Sequence, residues 1–318
     1  MVSRGKAPCR TTHILDALGQ ATETSMALSA FAPAKVNLFL HVGPVAADGY
    51  HPLSSLMVFA DVGDTLSIQG SEAPEFEVTG PFGYYVEDGP TNLVVQAARA
   101  LFEHVKGAQP PFRLILDKQL PVAAGLGGGS SDAGATLRLL RSALDLAIQD
   151  EMLTAIAGRL GADGPVCLWG RAAMTSGRGD RLAPPPDLPV LNAVLVKPGV
   201  PSSTAGVYRA FDHSGFLGDA TPPSLPPSFE SAEELAAFMA WCRNDLEGPA
   251  VSLEPAIGEV LETLRDEPET LLARMSGSGA TCFALCADDI QAEGLAERIE
   301  QMRPDWWVRR CRLGDGIS

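Results

Sequence analysis

Between Phe31 and Val42 apolar and polar positions alternate. Ala34, Val36, Leu38, Leu40 and Val42 share one face, and Lys35, Asn37, Phe39 and His41 share the other. This period of two predicts a half-buried strand that presents an ammonium and an amide side by side. Over 92–105 the spacing changes to Leu93, Val94, Ala97, Ala98, Leu101, Phe102 and Val105, the stripe of an amphipathic helix. Phe112 to Leu116 predicts a strand. Glu151 to Leu160 predicts a second amphipathic helix, closed by Gly161 as a natural C-cap. Three prolines, Pro184 to Pro186, continue neither a helix nor a central strand and mark a boundary. Beyond it Ala193 to Val196 predicts a short strand. After a proline-rich loop around Pro222 to Pro227, Ser231-Ala-Glu-Glu234 predicts a capping box opening a helix through Leu235, Phe238, Met239 and Cys242. The last third predicts a helix, a glycine-rich turn, a strand from Thr281 to Leu285 and a helix from Asp289 to Met302. Strands and helices mix without regular alternation, so the expected class is α+β in two lobes. The expected domains are 29–186 and 187–318, after a mobile extension over 1–28 in which Met26 offers a later start.

Composition narrows the functions. The chain has 318 residues, 46% of them hydrophobic, enough for a sizeable core. Its 24 basic and 39 acidic residues give a net charge of −15, which argues against general binding to nucleic acid or anionic lipid. A local phosphate site made of backbone amides remains compatible with that charge. Cys9, Cys167, Cys242, Cys282, Cys286 and Cys311 are scattered without zinc-site spacing and read as buried thiols of a reducing cytosol. No apolar run reaches the ~18 residues of a membrane span. Arg4, Lys6 and Arg10 precede no apolar stretch of a secretory signal, so a cytoplasmic location is expected.

The most informative stretch is Pro121-Val122-Ala123-Ala124-Gly125-Leu126-Gly127-Gly128-Gly129-Ser130-Ser131-Asp132, followed by Ala133, Thr136, Leu137 and Leu140 at helical spacing. Four glycines in five residues let the backbone turn sharply and approach a ligand. Ser130, Ser131 and Asp132 are N-cap residue types, so the helix is expected to start there. A glycine turn feeding a helix N-terminus offers free amides and the positive end of a dipole to an anion, most commonly phosphate. The stretch is neither a Walker A loop nor a dinucleotide fingerprint, and no protein-kinase motif accompanies it.

This stretch resembles the phosphate loop of the GHMP kinase superfamily. Ala32-Pro-Ala-Lys-Val-Asn-Leu38 and Met275-Ser-Gly-Ser-Gly-Ala-Thr281 are similar to that superfamily's first and third motifs, in order. Asp48-Gly-Tyr-His51, Gly161-Ala-Asp163, Gly177-Arg-Gly-Asp180, Lys197-Pro-Gly199 and Asn244-Asp-Leu-Glu247 extend the resemblance to a branch whose substrate carries a cytidine diphosphate and leads to isoprenoid precursors. It covers the chain from about residue 29 onward.

The resemblance implies a two-lobed fold, with an ATP-binding N-terminal lobe, a C-terminal substrate lobe and the active site between them. It implies transfer of the γ-phosphate of ATP to an alcohol, with Lys35 and Asp163 as the catalytic pair. The loop from Pro121 to Asp132, together with Asn92 and Lys118, would hold ATP. Asn37 and Thr204 would touch the acceptor, and Tyr50, His51 and Tyr208 would clamp its cytosine. Ser130 would be a Mg2+ ligand or a γ-phosphate donor, while Asp132 would hold a metal-bound water or only cap the helix. Arg178 and Arg181 read as counter-charges for phosphate or as a solvated pair. Gly164 and Cys167-Leu168 replace bulkier residues expected after Asp163, which suggests looser packing there. The expected partners are small molecules, with the chain acting as a monomer or homodimer. Two other readings stay open: a homoserine or phosphomevalonate type of kinase, and a non-catalytic nucleotide or sugar sensor on the same fold.

Overall fold

The computed structural model describes residues 28–105 and 110–316, so the expected N-terminal extension and Cys9 lie outside the described residues. The first strand, β1 (Leu28–Val42), pairs antiparallel with the long β2 (Leu53–Gly70). Next come β3 (Glu75–Thr79), a 3-10 turn (Gly83–Tyr85), α1 (Leu93–His104) and β4 (Phe112–Asp117). The middle of the chain forms α2 (Gly128–Ala143), α3 (Asp150–Leu160), α4 (Gly164–Trp169) and the hairpin β5 (Ala173–Gly177) and β6 (Arg181–Ala183). The remainder is β7 (Leu191–Lys197), α5 (Thr204–His213), α6 (Ala232–Met239), α7 (Glu247–Leu253), α8 (Pro255–Asp266), β8 (Leu272–Met275), β9 (Cys282–Cys286), α9 (Asp289–Met302) and β10 (Trp307–Gly314).

These strands make one sheet across both halves, in the order β3–β4–β2–β10–β7–β9–β8, with β1 and β5 also on β2. Strand β10 lies between β2 and β7, joining the N-terminal and C-terminal parts edge to edge. Three large apolar clusters and a small one around Phe59, Val166 and Cys167 fill the described part of the molecule. One packs α1, α2 and α3 on the N-terminal strands through Leu101, Leu137, Leu140 and Ile156. A second packs α5, α7, α8 and α9 on β7 and β9 through Val196, Phe211, Leu261 and Leu295. The third spans both halves, with Val36, Leu38, Leu195, Leu235 and Phe283 in one contact network. Each such leucine or phenylalanine contributes about 1.5–3 kcal/mol on burial.

The helices over 93–104, 150–160 and 289–302 stand where apolar spacing put them, and Asn92 caps the first by accepting from the Val94 amide at 2.8 Å. Strand β1 departs from expectation: it is buried on both faces, with Lys35, Asn37 and His41 each at most 5% exposed. Its polar face is covered by other segments: Gly127 stands against Lys35, Ser55 and Gly277 against Asn37, and Thr221 and Arg243 against His41. Gly161 follows α3 in extended rather than left-handed backbone (φ 171°). In the capping box the Ser231 hydroxyl accepts from the Glu234 amide at 3.2 Å, but the Glu234 carboxylate accepts from Glu230 N, one residue earlier than the reciprocal pattern.

Candidate active site

A cleft of about 1150 Å3 runs between the glycine loop, the end of β1 and the 43–52 loop, with α5 along one wall. It is lined by Lys35, Asn37, Tyr50, His51, Asn92, Lys118, Pro121 to Ser130, Asp132, Asp163, Thr204 and Tyr208. Of the residues singled out in sequence, Ser131 stands apart. It is fully buried, and its hydroxyl donates to Pro33 O at 2.7 Å, tying α2 to β1 instead of facing the cleft.

The loop is locked from two sides. Lys35 N donates to Leu126 O at 2.8 Å, and Thr281 N donates to Ala124 O at 3.1 Å, so the first and third motifs clamp the second. Gly125 has φ +74°, and a Cβ there would meet Ser276 O at 2.5 Å and Gly279 O at 2.7 Å. Only glycine fits. Ala123 also takes left-handed backbone (φ +51°), an alanine held in a conformation costing about 1 kcal/mol or more. Helix α2 starts at Gly128 with Gly127 as N-cap (φ +63°) and no side-chain cap, earlier than the Ser130–Asp132 start that residue type suggested. The reason is functional in form: a side-chain cap would occupy the very amides that Gly128, Gly129 and Ser130 turn outward.

Asp163 is the N-cap of α4 but makes no side-chain cap bond, which leaves its carboxylate free. Lys35 Nζ lies 3.3 Å from Asp163 Oδ2 and donates to Asn37 Oδ1 at 2.7 Å. Asn37 in turn donates to Ser55 Oγ at 2.7 Å, fixing its amide. The ammonium is buried, while the Asp163 side chain is 32% exposed to the cleft. Packing after Asp163 is tight rather than loose: a Cβ at Gly164 would stand 2.0 Å from Ala157 O, and Cys167 and Leu168 are fully buried. Burial, followed by the Asp163 charge, pushes the Cys167 thiol up to about 12, so it stays protonated beside the pair.

At the other end of the cleft, His51 Nδ1 lies 2.8 Å from Gly43 O and Nε2 lies 3.2 Å from Asp212 Oδ1. Its ring packs at 5.3 Å from Tyr208 and 5.5 Å from Phe211. Although it stands on a loop, this histidine is held by a carbonyl, a carboxylate and two aromatic rings. Burial, then Asp163, pushes the Tyr208 hydroxyl up to about 12. Tyr50 is 57% exposed, and the Arg178 guanidinium lies 4.1 Å from its ring centre while bonding Asp48. Arg181 is exposed on β6 and does not line the cleft. Thr204 Oγ1 and Ser278 Oγ are 2.8 Å apart.

Lys118 is buried, not a solvated surface lysine, and bonds both Asp64 (2.6 Å) and Asp132 (2.7 Å). Burial pulls its ammonium down, but the two carboxylates outweigh that and leave it raised. The Asp132 carboxylate therefore neither caps α2 nor hangs free. Sequence reasoning missed Asp64 altogether, and an acid inside an alternating strand was the signal available. It also gave Asn244 no role, although its amide donates to Met275 O and Gly277 O at 2.8 Å each and holds the third motif.

Family profiles described as GHMP kinases N terminal domain and GHMP kinases C terminal match residues 92–171 and 227–305. The chain is 64% identical over 289 residues to the 4-diphosphocytidyl-2-C-methyl-D-erythritol kinase of Caulobacter vibrioides, covering 91% of this chain and 100% of that protein. A crystal structure of 4-(cytidine 5'-diphospho)-2C-methyl-D-erythritol kinase superposes with TM-score 0.73 at 35% identity, covering 90% of this chain and 99% of the other. A homoserine kinase from Cytophaga hutchinsonii shares the fold at TM-score 0.66 and 17% identity, covering 93% and 98%.

Proposed function

The chain belongs to the GHMP kinases and, among them, to the family of 4-diphosphocytidyl-2-C-methyl-D-erythritol kinases, and from that membership we propose that it transfers the γ-phosphate of ATP to the 2-hydroxyl of 4-diphosphocytidyl-2-C-methyl-D-erythritol. The observation that carries this reading is the Lys35–Asp163 pair at 3.3 Å, set in the same cleft as amides bared by glycine. Residues 29–186 serve as the ATP-binding domain and 187–318 as the C-terminal domain, in a cytoplasmic enzyme.

Phosphoryl transfer leaves little covalent work to the protein, so positioning and charge dominate. Asp163 Oδ2 is engaged by Lys35, and Oδ1 is the atom left to accept the proton of the acceptor hydroxyl. Lys35 steadies that carboxylate and offsets charge on the group in transit. The outward amides of Gly128, Gly129 and Ser130 bind phosphate oxygens. Tyr50 and Tyr208 offer ring faces to cytosine, and His51, pinned by Gly43 and Asp212, backs the Tyr208 ring.

The residues also fit magnesium. Asp132 Oδ1 is buried without a hydrogen-bond partner, and both Asp132 and Ser130 line the cleft. Among the described residues no cluster of three or more His, Cys, Asp or Glu could hold a metal alone. Ser130 and Asp132 would hold it, and it would neutralise charge between the β- and γ-phosphates.

Purified protein given ATP, magnesium and either the cytidine-bearing alcohol, homoserine or phosphomevalonate decides the matter by ADP release. The expected kcat/KM for the cytidine substrate exceeds the others by more than about 100-fold, because only it can use the aromatic clamp. Comparable rates on all three, or none on any, would overturn the proposal.

A further inference from the structure

Asp64 sits on β2 with no exposed surface and does not line the cleft, yet its hydrogen bonds all end on the nucleotide side of the site. Its Oδ1 accepts from the amides of Gln119 (2.7 Å) and Leu120 (2.8 Å), the two residues ahead of Pro121. Its Oδ2 accepts from Lys118 Nζ at 2.6 Å, and the same ammonium reaches Asp132 Oδ2 at 2.7 Å. Gly128 closes the arrangement: a Cβ there would stand 3.1 Å from Lys118 Nζ and 3.7 Å from Asp64 Oδ2. Two carboxylates thus share one ammonium beside the first turn of α2. Three of their four oxygens have partners, and the fourth, Asp132 Oδ1, is buried without one.

An ammonium facing a single carboxylate is free to turn and cover both of its oxygens, whereas one drawn to a second carboxylate gives a donor to each. The geometry points to Asp64 as a positioning residue for nucleotide binding. By drawing Lys118 toward itself it keeps the ammonium off Asp132 Oδ1, and by accepting from Gln119 and Leu120 it fixes the stretch that leads into the phosphate loop. The inference rests on the kinase reading above and extends it to a residue that touches no substrate and acts through Lys118 and the loop backbone.

Asparagine separates the two functions. Asp64→Asn keeps an oxygen for the two amides but removes the charge that draws Lys118, whereas Asp64→Ala removes both. Calorimetric titration with ADP in magnesium buffer is expected to show about tenfold weaker binding to Asp64→Asn, with the acceptor KM within about twofold of the parent. In an Asp132→Ala background the same change is expected to add less than about twofold, since the oxygen it protects is gone. ADP binding by Asp64→Asn equal to that of the parent would overturn the inference and leave Asp64 a backbone acceptor only. Should the variants fail to fold, a structure of the unmodified protein with ADP and magnesium decides instead. Lys118 Nζ is then expected within hydrogen-bond distance of Asp64 Oδ2, and a Lys118 that has left Asp64 for phosphate oxygens overturns the idea. An unmodified protein that binds no ADP would overturn the kinase reading itself, a result distinct from normal binding by both proteins.

Discussion

At the nucleotide end of the cleft the groups offered to a ligand are main-chain amides, whereas at the acceptor end they are side chains brought from two distant segments. The first end is set by what is missing: Gly125 and Gly127 take left-handed backbone, and neighbouring motifs press in where a side chain would stand. The second is set by what is added: Tyr50 from the 43–52 loop, with Tyr208 from α5 behind His51. A phosphate grip of the first kind tolerates almost no change of residue, because one methyl group displaces backbone. An aromatic clamp of the second kind changes strength with each side chain while the fold stays intact. The Lys35–Asp163 pair lies where the two ends meet.

Removing the shared centre gives the largest effect. Asp163→Asn should lower kcat by about 10^3-fold with both KM values nearly unchanged, read by steady-state kinetics. A fall below tenfold would make Asp163 an orienting group and not a base. Next comes the nucleotide end. Gly125→Ala forces a Cβ to 2.5 Å from Ser276 O and should cost about 2–3 kcal/mol in urea denaturation, together with ADP binding. Gly129→Ala is its counterpart, since the new methyl meets only the Leu93 side chain at 3.2 Å; it should stay within about 1 kcal/mol of the parent. Equal losses at both positions would mean that the loop is not held as described. Tyr50→Ala probes the acceptor end: the KM for the cytidine substrate should rise by roughly 5- to 100-fold, the worth of one base stack, with the KM for ATP unmoved.

The smallest expected effect lies behind the clamp. His41 Nε2 accepts from the Arg243 amide at 3.1 Å. Burial above all, with Arg243 and Arg274 adding to it against Thr221 O and Asp245, holds the imidazole below its usual 6.5. The folded protein therefore resists a proton that the unfolded chain accepts, and stability present above about pH 6.5 is lost as pH falls through and below it. Thermal denaturation at pH 7 and pH 5.5 should show a decline that is smaller by about 1 kcal/mol in His41→Gln. Parallel declines in the two proteins would assign the acid sensitivity elsewhere.

Much of this was legible in sequence, for identifiable reasons. Glycine spacing, caps and helical periodicity are local, so the loop, α1, α3 and α9 stood out, and the motifs drew Lys35, Asp163 and the aromatic trio into one proposal. Asp64 was illegible because its role arises from contacts 54 to 56 residues away along the chain. Ser131 was misread because residue type alone cannot say which side of a helix faces the ligand. The hold on His51 was illegible because its partners, Gly43 and Asp212, are assembled only by the fold. The clean alternation of β1 read as half-buried because covering by distant segments such as Gly277, Thr221 and Arg243 leaves no trace in a strand's own pattern.

Strand β10 carries a consequence for biosynthesis. Residues 307–313 pair with β7 and only Leu313 and Gly314 reach β2, so the two halves of the sheet cannot join until that segment has been synthesised. Phe59 and Ala60 in the middle of β2 must wait for Leu313 and Gly314, which the ribosome adds much later than β1, β4 and β5, the other partners of β2. Closure of the sheet across both halves therefore follows the folding of either half, and protection of the unpaired β7 edge by chaperones during translation would raise the yield of active protein.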